Sequence, residues 1–321
     1  RSTPEVLPPL PEAAPKNRLG LAEWLTSDNH PLLARVTVNR YWQMIFGRGL
    51  VATSEDFGLQ GKPPTHPELL DWLARGFVNA QWNLHHLLKK MVLSHTYRQE
   101  SKILPQALAK DPENLLLSRS PSYRMPAEMI RDGLLAQSHL LHRKVGGSGA
   151  KPYDLKVSFK PINPDGAPNV YRRSLYTFWK RTGPTPVMMA LDASKRDVCT
   201  VRRERTDSPA QSLILLNGTQ FVEAARAFAD RLLLSQSTED SMALVSDAFR
   251  QLTSRPPSKR ESVILLRLLS EQLAHFSDPK EAEKFLKVGH YKAKSKDSVQ
   301  LAAVTSLVSA LMNFDETLSK R

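Results

Sequence analysis

The chain has 321 residues, 41% hydrophobic and 24% charged, with 45 Lys+Arg against 32 Asp+Glu for a formal net charge of +13. This composition excludes a globally disordered chain and supplies one large or two modest cores, and the basic excess favours anionic partners: nucleic acid, phosphate, acidic polysaccharide or an acidic protein surface. One cysteine, Cys199, excludes an internal disulfide framework, a Cys-based zinc site and a C-x-x-C-H haem attachment, and no apolar run reaches the roughly 18–20 residues of a membrane span or forms a signal-peptide core.

The opening RSTPEVLPPLPEAAP, with prolines at 4, 8, 9, 11 and 15, reads as a Pro-rich linker over 1–16 that leads from a missing upstream domain. Beyond it, 17–321 reads as one mainly helical domain, with sub-lobes 17–143 and 207–321 joined by an extended basic segment, 144–206. Residues 31–46 are helical, with Pro31 near the first position, and a buried Arg40 there would need a carboxylate partner. Thr65 and Glu68 in T-H-P-E form a capping box around Pro67, opening a helix striped by Leu69, Leu70, Leu73 and Phe77. Asn83 caps a second helix that ends near Tyr97, and the short connection makes the two an antiparallel pair.

Residues 126–143 predict a strong helix from Pro126 to Arg143. KVGGSGAKP and NPDGAPN then break the pattern, and RRSLYTFW is the one segment whose β-branched and aromatic content predicts a strand. Helices resume at Ser208-Pro209 and run to Asn217-Gly218. Four more follow near 219–234, 239–252, 258–276 and 297–313. No fixed-period repeat is present. The fold class is therefore mainly α, a multi-helix bundle-like domain with an irregular, partly β or extended insertion at about 144–206.

Chemistry-bearing residues fall into a few groups. His139 and His142 stand three apart on the 126–143 helix with Glu128 and Asp132 on roughly the same face, a candidate metal pair; Asp132 and His139 are about 10 Å apart along a helix, too far to share one ion. Glu128, Arg131 and Asp132 form A-E-x-I-R-D, whose carboxylates either serve in catalysis or neutralise buried arginines. His66, His85 and His86 read as structural or exposed. Cys199 has Arg202 and Arg203 nearby, which lower a thiol pKa, and is a candidate nucleophile or redox group as well as a small buried hydrophobe. GGSG at 146–149 matches no phosphate-binding loop, and neither H-E-x-x-H nor G-x-S-x-G occurs.

The most informative stretch is 168–211, with nine Lys/Arg against four Asp/Glu, interleaved with Tyr171, Tyr176, Phe178 and Trp179. Arg172, Arg173, Lys180, Arg181, Arg202, Arg203 and Arg205 are its candidate anion or partner contacts. Three readings stay open: a surface that stacks on and pairs with single-stranded nucleic acid, one that binds sulfated or carboxylated glycans, or a strap pinned across a helical core by arginine–carboxylate pairs.

Several strings in order, NRLGLAEWLTSDNHPLLARVTVNRYWQMIFGRGLV, EDFGLQGKPPTHPELLDWLA, SHTYRQ, AEMIRD, YRRSLYTFWKRTGP and RRERTDSPAQSLILLN, give the chain a collective likeness. Over about 17–317 it resembles a planctomycete-specific C-terminal domain of unknown function found in large exported proteins that often carry cytochrome c-like modules. The resemblance implies export to the periplasm or cell surface and upstream domains of the same polypeptide as partners. Haem, where such proteins carry it, belongs to the upstream module, and no cofactor is expected in this chain. Export makes acidic polysaccharide a better partner than nucleic acid.

Two functional expectations result. The first is a non-catalytic interaction or scaffolding module of an exported multidomain redox or polysaccharide-processing protein. The second is an enzyme domain acting on a sulfated or uronate glycan, with Glu128, Asp132 or Asp192 as acid/base and Arg173, Arg181, Arg202 or Arg205 holding substrate.

Overall fold

The computed structural model describes residues 3–180, 182–235 and 240–320. Its described residues are mainly helical, with fifteen α-helices, and β structure is limited to two-residue strands, Tyr123–Arg124 and Ser319–Lys320, in one two-stranded sheet. No helix among them is long and apolar enough to cross a membrane. The chain divides into two compact units, one ending at Tyr123 and one running from Arg124 to Lys320.

The first unit holds α1 (Arg18–Leu25), α2 (Leu33–Phe46), α3 (Pro67–Asn79), α4 (Leu84–Val92), α5 (His95–Arg98) and α6 (Pro105–Lys110). Helix α2 buries Ala34, Val38, Trp42 and Phe46, a four-residue spacing that puts one stripe against the core. The last two rings stack at 4.0 Å. Arg40 is exposed, so the carboxylate partner expected for it is not needed. The buried polar residue is its neighbour Asn39. Its amide donates to Val51 O at 3.0 Å and accepts from Val51 N at 2.9 Å, stitching the following loop to the helix.

Of two expected caps, one forms. Thr65 does not form a capping box with Glu68: its N–H donates to Leu50 O at 2.9 Å, turning it toward the preceding loop, and His66 occupies the cap position of α3. Asn83 does cap α4, accepting from His86 N at 3.0 Å. That helix stops at Val92 rather than near Tyr97, because Ser94 caps a separate single turn by accepting from Tyr97 N. Over its described residues the Pro-rich start lies against α1, where Trp24 Nε1 donates to Pro8 O at 2.8 Å.

The second unit holds α7 (Ala127–Gln137), α8 (Pro186–Ala190), α9 (Pro209–Asn217), α10 (Thr219–Ser235), α11 (Ser241–Thr253), α12 (Lys259–His275), α13 (Pro279–Leu286), α14 (Ser298–Met312) and α15 (Asp315–Leu318). Helices α10, α11, α12 and α14 fall within two residues of the expected ends. Helix α13, opened by the Asp278 cap and Pro279, was not expected. Helix α14 is apolar nearly all round, with Leu301, Val304, Leu307, Val308 and Leu311 buried, as a central helix must be. It packs on α10, whose Ala224, Phe228, Ala229 and Leu232 are fully buried. Each large apolar side chain so covered contributes about 1.5–3 kcal/mol.

Helix α7 ends six residues before the expected Arg143. His139 takes a left-handed backbone at φ 62°, and the amides of Leu140 and Leu141 both fold back to Leu135 O. This removes His139 and His142 from the helix and from the three-residue spacing that paired them. The strand expected over RRSLYTFW is also absent. Short 3-10 turns, Asn169–Tyr171 and Ser174–Tyr176, stand there, with single bridges Ala150–Thr177 and His142–Arg172. The cause is competition for the backbone. The carbonyls of Val170 and Arg172 accept from Arg131, and the amide of Ser174 donates to Asp132, so the groups a strand would pair are taken by side chains.

Helix α10 carries a buried charged stripe, Glu223, Arg226 and Asp230. Glu223 accepts from the hydroxyls of Tyr153 at 2.8 Å and Tyr171 at 2.7 Å and from the amides of His290 at 2.5 Å and Tyr291 at 2.7 Å. Asp230 accepts from Tyr291 Oη at 2.7 Å, Lys294 N at 2.9 Å and Ser295 N at 2.8 Å. Arg226 donates to the carbonyls of Leu286 and Tyr291. Residues 287–297 are thereby tied as a strap along α10. Gly289 at φ 68° lies so close to the Glu223 carboxyl that a Cβ there would collide. Truncating Glu223→Ala leaves two hydroxyls and two amides without their acceptor, at about 1–3 kcal/mol each before water enters. The expected loss is roughly 3–5 kcal/mol in a urea titration, with a smaller loss for Glu223→Gln.

Near the end of the unit, Arg255 bridges Glu261 at 2.6 Å and Glu316 at 2.8 Å. The Arg255 guanidinium, with the Ser258 amide adding to it, holds the Glu261 carboxyl at about 2, below its ordinary 4.5. The stability this contributes is complete above pH 4.5 and is lost as pH falls toward 2. A Glu261→Gln variant is expected to show a melting temperature less dependent on pH across that window.

Candidate anion-binding site

The basic segment behaves in two ways. Around 170–178 it turns inward. Arg131, 2% exposed on α7, donates to Gln220 Oε1 at 2.8 Å, Arg172 O at 2.8 Å, Val170 O at 3.0 Å, Ser174 Oγ at 3.1 Å and Asp132 Oδ1 at 3.2 Å. Burial pulls its pKa down, and the charges of Asp132 and Asp154 oppose that. Asp132 accepts in turn from Ser174 N at 2.8 Å and Ser174 Oγ at 2.7 Å. Asp154 is pushed up by burial, against the Val187 amide that donates to it at 3.0 Å.

Arg172 is also buried, and its acceptors are three carbonyls: Ser148 at 2.7 Å, Lys144 at 3.2 Å and Gly146 at 2.5 Å. Its guanidinium lies 4.2 Å over Tyr176, with that of Arg173 at 5.9 Å. The glycine stretch 146–149 is thus folded around an arginine. Lys180 and Arg173 are half-buried, and Arg181 lies outside the described residues.

Residues 195–207 turn outward and are exposed throughout. The loop is held at both ends. Trp179 Nε1 donates to Lys195 O at 2.8 Å, and Arg196 stacks 4.6 Å over the same indole. At the far end Asp192, at φ 65°, accepts from Thr206 N at 2.7 Å, Thr206 Oγ1 and Gln211 Nε2. Arg124 donates to Thr206 O at 3.0 Å and Asp207 at 3.3 Å, and Arg203 pairs with Glu128 at 2.6 Å. Between these anchors Lys195, Arg196, Arg202 and Arg205 are exposed, with Cys199 exposed among them. Arg202 and Arg203 stand close to Cys199 in sequence, and the thiol is on the surface rather than in a core.

The carboxylates expected as acid/base candidates have separate partner sets: Glu128 with Arg203, Asp132 with Arg131 and Ser174, Asp192 with Thr206 and Gln211. His142 is half-buried at its bridge to Arg172, and His139 is exposed at the rim of a cavity of about 380 Å³. Among the described residues no three His, Cys, Asp or Glu stand together as a metal site. The arrangement offers cations and an aromatic face in a loop hydrogen-bonded at both ends, groups that can pair with an anion.

Sequence reasoning missed Glu223, Arg226, Asp230 and Arg231, and the strap KVGHYKAKSK at 287–296. Two signals were available. Charges at 223, 226 and 230 recur every three or four residues in the otherwise apolar FVEAARAFADRLLL, and the strap has four lysines and no carboxylate before Asp297.

Residues 17–269 match the family described as PSD1, protein of unknown function (DUF1553). The chain belongs to that family. No curated protein and no solved structure matches it. The match includes both halves of the basic segment and ends before the strap.

The two halves are expected to respond oppositely to truncation. Arg172→Ala removes a buried charged donor from three carbonyls and should cost about 2–3 kcal/mol and open the 144–149 loop to proteolysis. Arg202→Ala should stay within about 0.5 kcal/mol of the parent protein in the same thermal melts.

Proposed function

We propose that this domain is a non-catalytic binding module that holds an acidic polysaccharide through the exposed basic loop 195–207. The observation that carries this reading is the orientation of the loop. Its backbone ends are fixed by Trp179 and Asp192, and Lys195, Arg196 and Arg202 are left exposed. Arg196 over Trp179 pairs a cation with an aromatic surface, which suits a sugar ring carrying a sulfate or carboxylate. The commitment of Glu128, Asp132 and Asp192 to hydrogen bonds within the fold supports binding over hydrolysis.

In the wider setting, the module is exported to the periplasm or cell surface, in a planctomycete protein whose upstream domains include a cytochrome c-like redox or polysaccharide-processing module. Its other partners are those upstream domains. The support for this setting is the ordered set of motifs described above together with the net charge of +13.

The test is retention on immobilised sulfated and uronate-rich polysaccharides as salt is raised. Three exposed contacts at about 0.5 kcal/mol each amount to roughly a tenfold loss of affinity. A Lys195→Ala/Arg196→Ala/Arg202→Ala variant should therefore elute at distinctly lower salt with an unchanged melting temperature. Equal elution of variant and parent would remove the loop from the binding surface.

A further inference from the structure

Within the second unit, residues 138–140, α10 and the strap line an open cavity of about 380 Å³, with His139, Leu140, Ala227, Arg231, Leu234 and Lys294 in its walls and Ser138, Ser235 and Tyr291 completing it. Its size is that of a pocket for a small organic molecule. The walls are largely apolar, and the charged groups among the lining residues are all basic.

Arg231 is the centre of the argument. It is half-buried, and burial lowers its pKa. Its guanidinium donates to two neutral acceptors, Gln137 O at 3.0 Å and Gln251 Oε1 at 2.9 Å, and lies 4.7 Å over Phe228. Its Nε is buried without a hydrogen-bond partner among the described residues. The carboxylate whose charge reaches it, Asp247, accepts instead from Gln251 Nε2 at 2.9 Å. A half-buried guanidinium with neutral acceptors and an unpartnered Nε, beside an open cavity, has no carboxylate hydrogen-bonded to it among the described residues.

The nearest acid in sequence does not supply one. Asp230 accepts from Tyr291 Oη and from the amides of Lys294 and Ser295. Those bonds go to the Lys294 backbone and not to its exposed ammonium. Lys287, Lys292 and Lys296 on the same strap are exposed as well, so the exposed charges of the strap up to residue 296 are cationic.

We infer that this cavity binds a small, single-ring organic oxyanion, its sulfate, phosphate or carboxylate group paired with Arg231 and Lys294 and its ring against Leu140, Leu234 and Tyr291. The site is separate from the loop 195–207 and does not rest on the reading of that loop.

The experiment is a calorimetric or NMR titration of the full chain with inorganic sulfate, inorganic phosphate and glucuronate, ionic strength being held constant with chloride. Saturable one-to-one binding of at least one is expected, and which one binds identifies the oxyanion. Losing a charge-assisted hydrogen bond costs roughly tenfold or more in affinity, so Arg231→Gln should weaken binding by at least that factor. Lys294→Gln, which keeps the backbone amide that Asp230 needs, should weaken it several-fold. Leu234→Trp, at a position 56% exposed, should block the cavity while Arg231 and Lys294 both remain. Folding of the last two variants is checked by an unchanged melting temperature, and the Lys195/Arg196/Arg202 variant should bind as the parent does. Absence of saturable binding below about 10 mM, a very weak affinity, or equal affinity in Lys294→Gln and Leu234→Trp, would overturn the inference.

Discussion

A carboxylate with no exposed surface must be surrounded by donors, and Glu223 gathers four of them from three stretches of chain far apart in sequence. Tyr153 belongs to one 3-10 turn, Tyr171 to another, and His290 and Tyr291 to the strap between α13 and α14. None of these stretches has a regular hydrogen-bond ladder of its own. Their positions follow from α10, whose apolar residues are locked against α14 while Glu223, Arg226 and Asp230 face outward from that contact toward irregular backbone. Burial of a charge is costly without partners, so this stripe admits only arrangements that deliver the right amides and hydroxyls. The same environment keeps the phenols protonated. Burial and the Glu223 charge push Tyr153 and Tyr171 well above the usual tyrosine range, and burial with the Asp230 bond takes Tyr291 to about 12. At neutral pH the three are fixed donors, which suits a structural cluster rather than a proton relay.

Arg131 and Arg172 extend that constraint to the basic segment. A guanidinium presents five N–H groups in a rigid fork; Arg172 donates to three backbone carbonyls, and Arg131 to two carbonyls and three side-chain oxygens. Arg172 shapes the glycine stretch 146–149 by drawing three carbonyls toward one point. Arg131 prevents a strand at 170–174 by taking two carbonyls that a ladder would need. Cations committed in this way are removed from any binding surface. Which arginines remain available for a ligand is therefore decided by the folding of the segment and not by its composition.

That distinction marks how far the sequence was legible. Helices with a regular apolar stripe were readable because burial of one face dictates the spacing, and α10, α11, α12 and α14 stand close to the expected positions. The Ser208–Gln211 capping box was readable in part, since Ser208 and Pro209 carry local chemistry. Thr65 was not, because a backbone contact to Leu50, fifteen residues earlier, outcompetes its cap. RRSLYTFW does not form the expected strand for the same kind of reason: the competitor is a side chain 39 or more residues away. The candidate site was half legible. The density of charge in 168–211 was plain, but the inward turn of Arg172 and outward turn of Arg202 depend on contacts that no local pattern records. The polar stripe of α10 stands at helical spacing but interrupts an apolar helix without resembling any motif.

The basic runs at 195–207 and 287–296, whose lysines and arginines are exposed, share one construction. In each, carboxylates from a neighbouring element bind backbone amides of the run: Asp192 holds Thr206, and Glu223 and Asp230 hold the amides of residues 290, 291, 294 and 295. An acid partnered by amide dipoles does not neutralise the lysine or arginine side chains attached to the same backbone. The usual fate of surface charge is local pairing of opposite signs, which leaves little net field. Here much of the acid is used to fix main chain, so the chain can carry 32 acidic residues and still present long cationic loops on a rigid scaffold. Loops mounted in this way keep their shape without a ligand, which lowers the ordering cost of binding one. The physical reason to look for anionic ligands on this unit is therefore the manner in which its acids are used, more than the excess of basic residues itself.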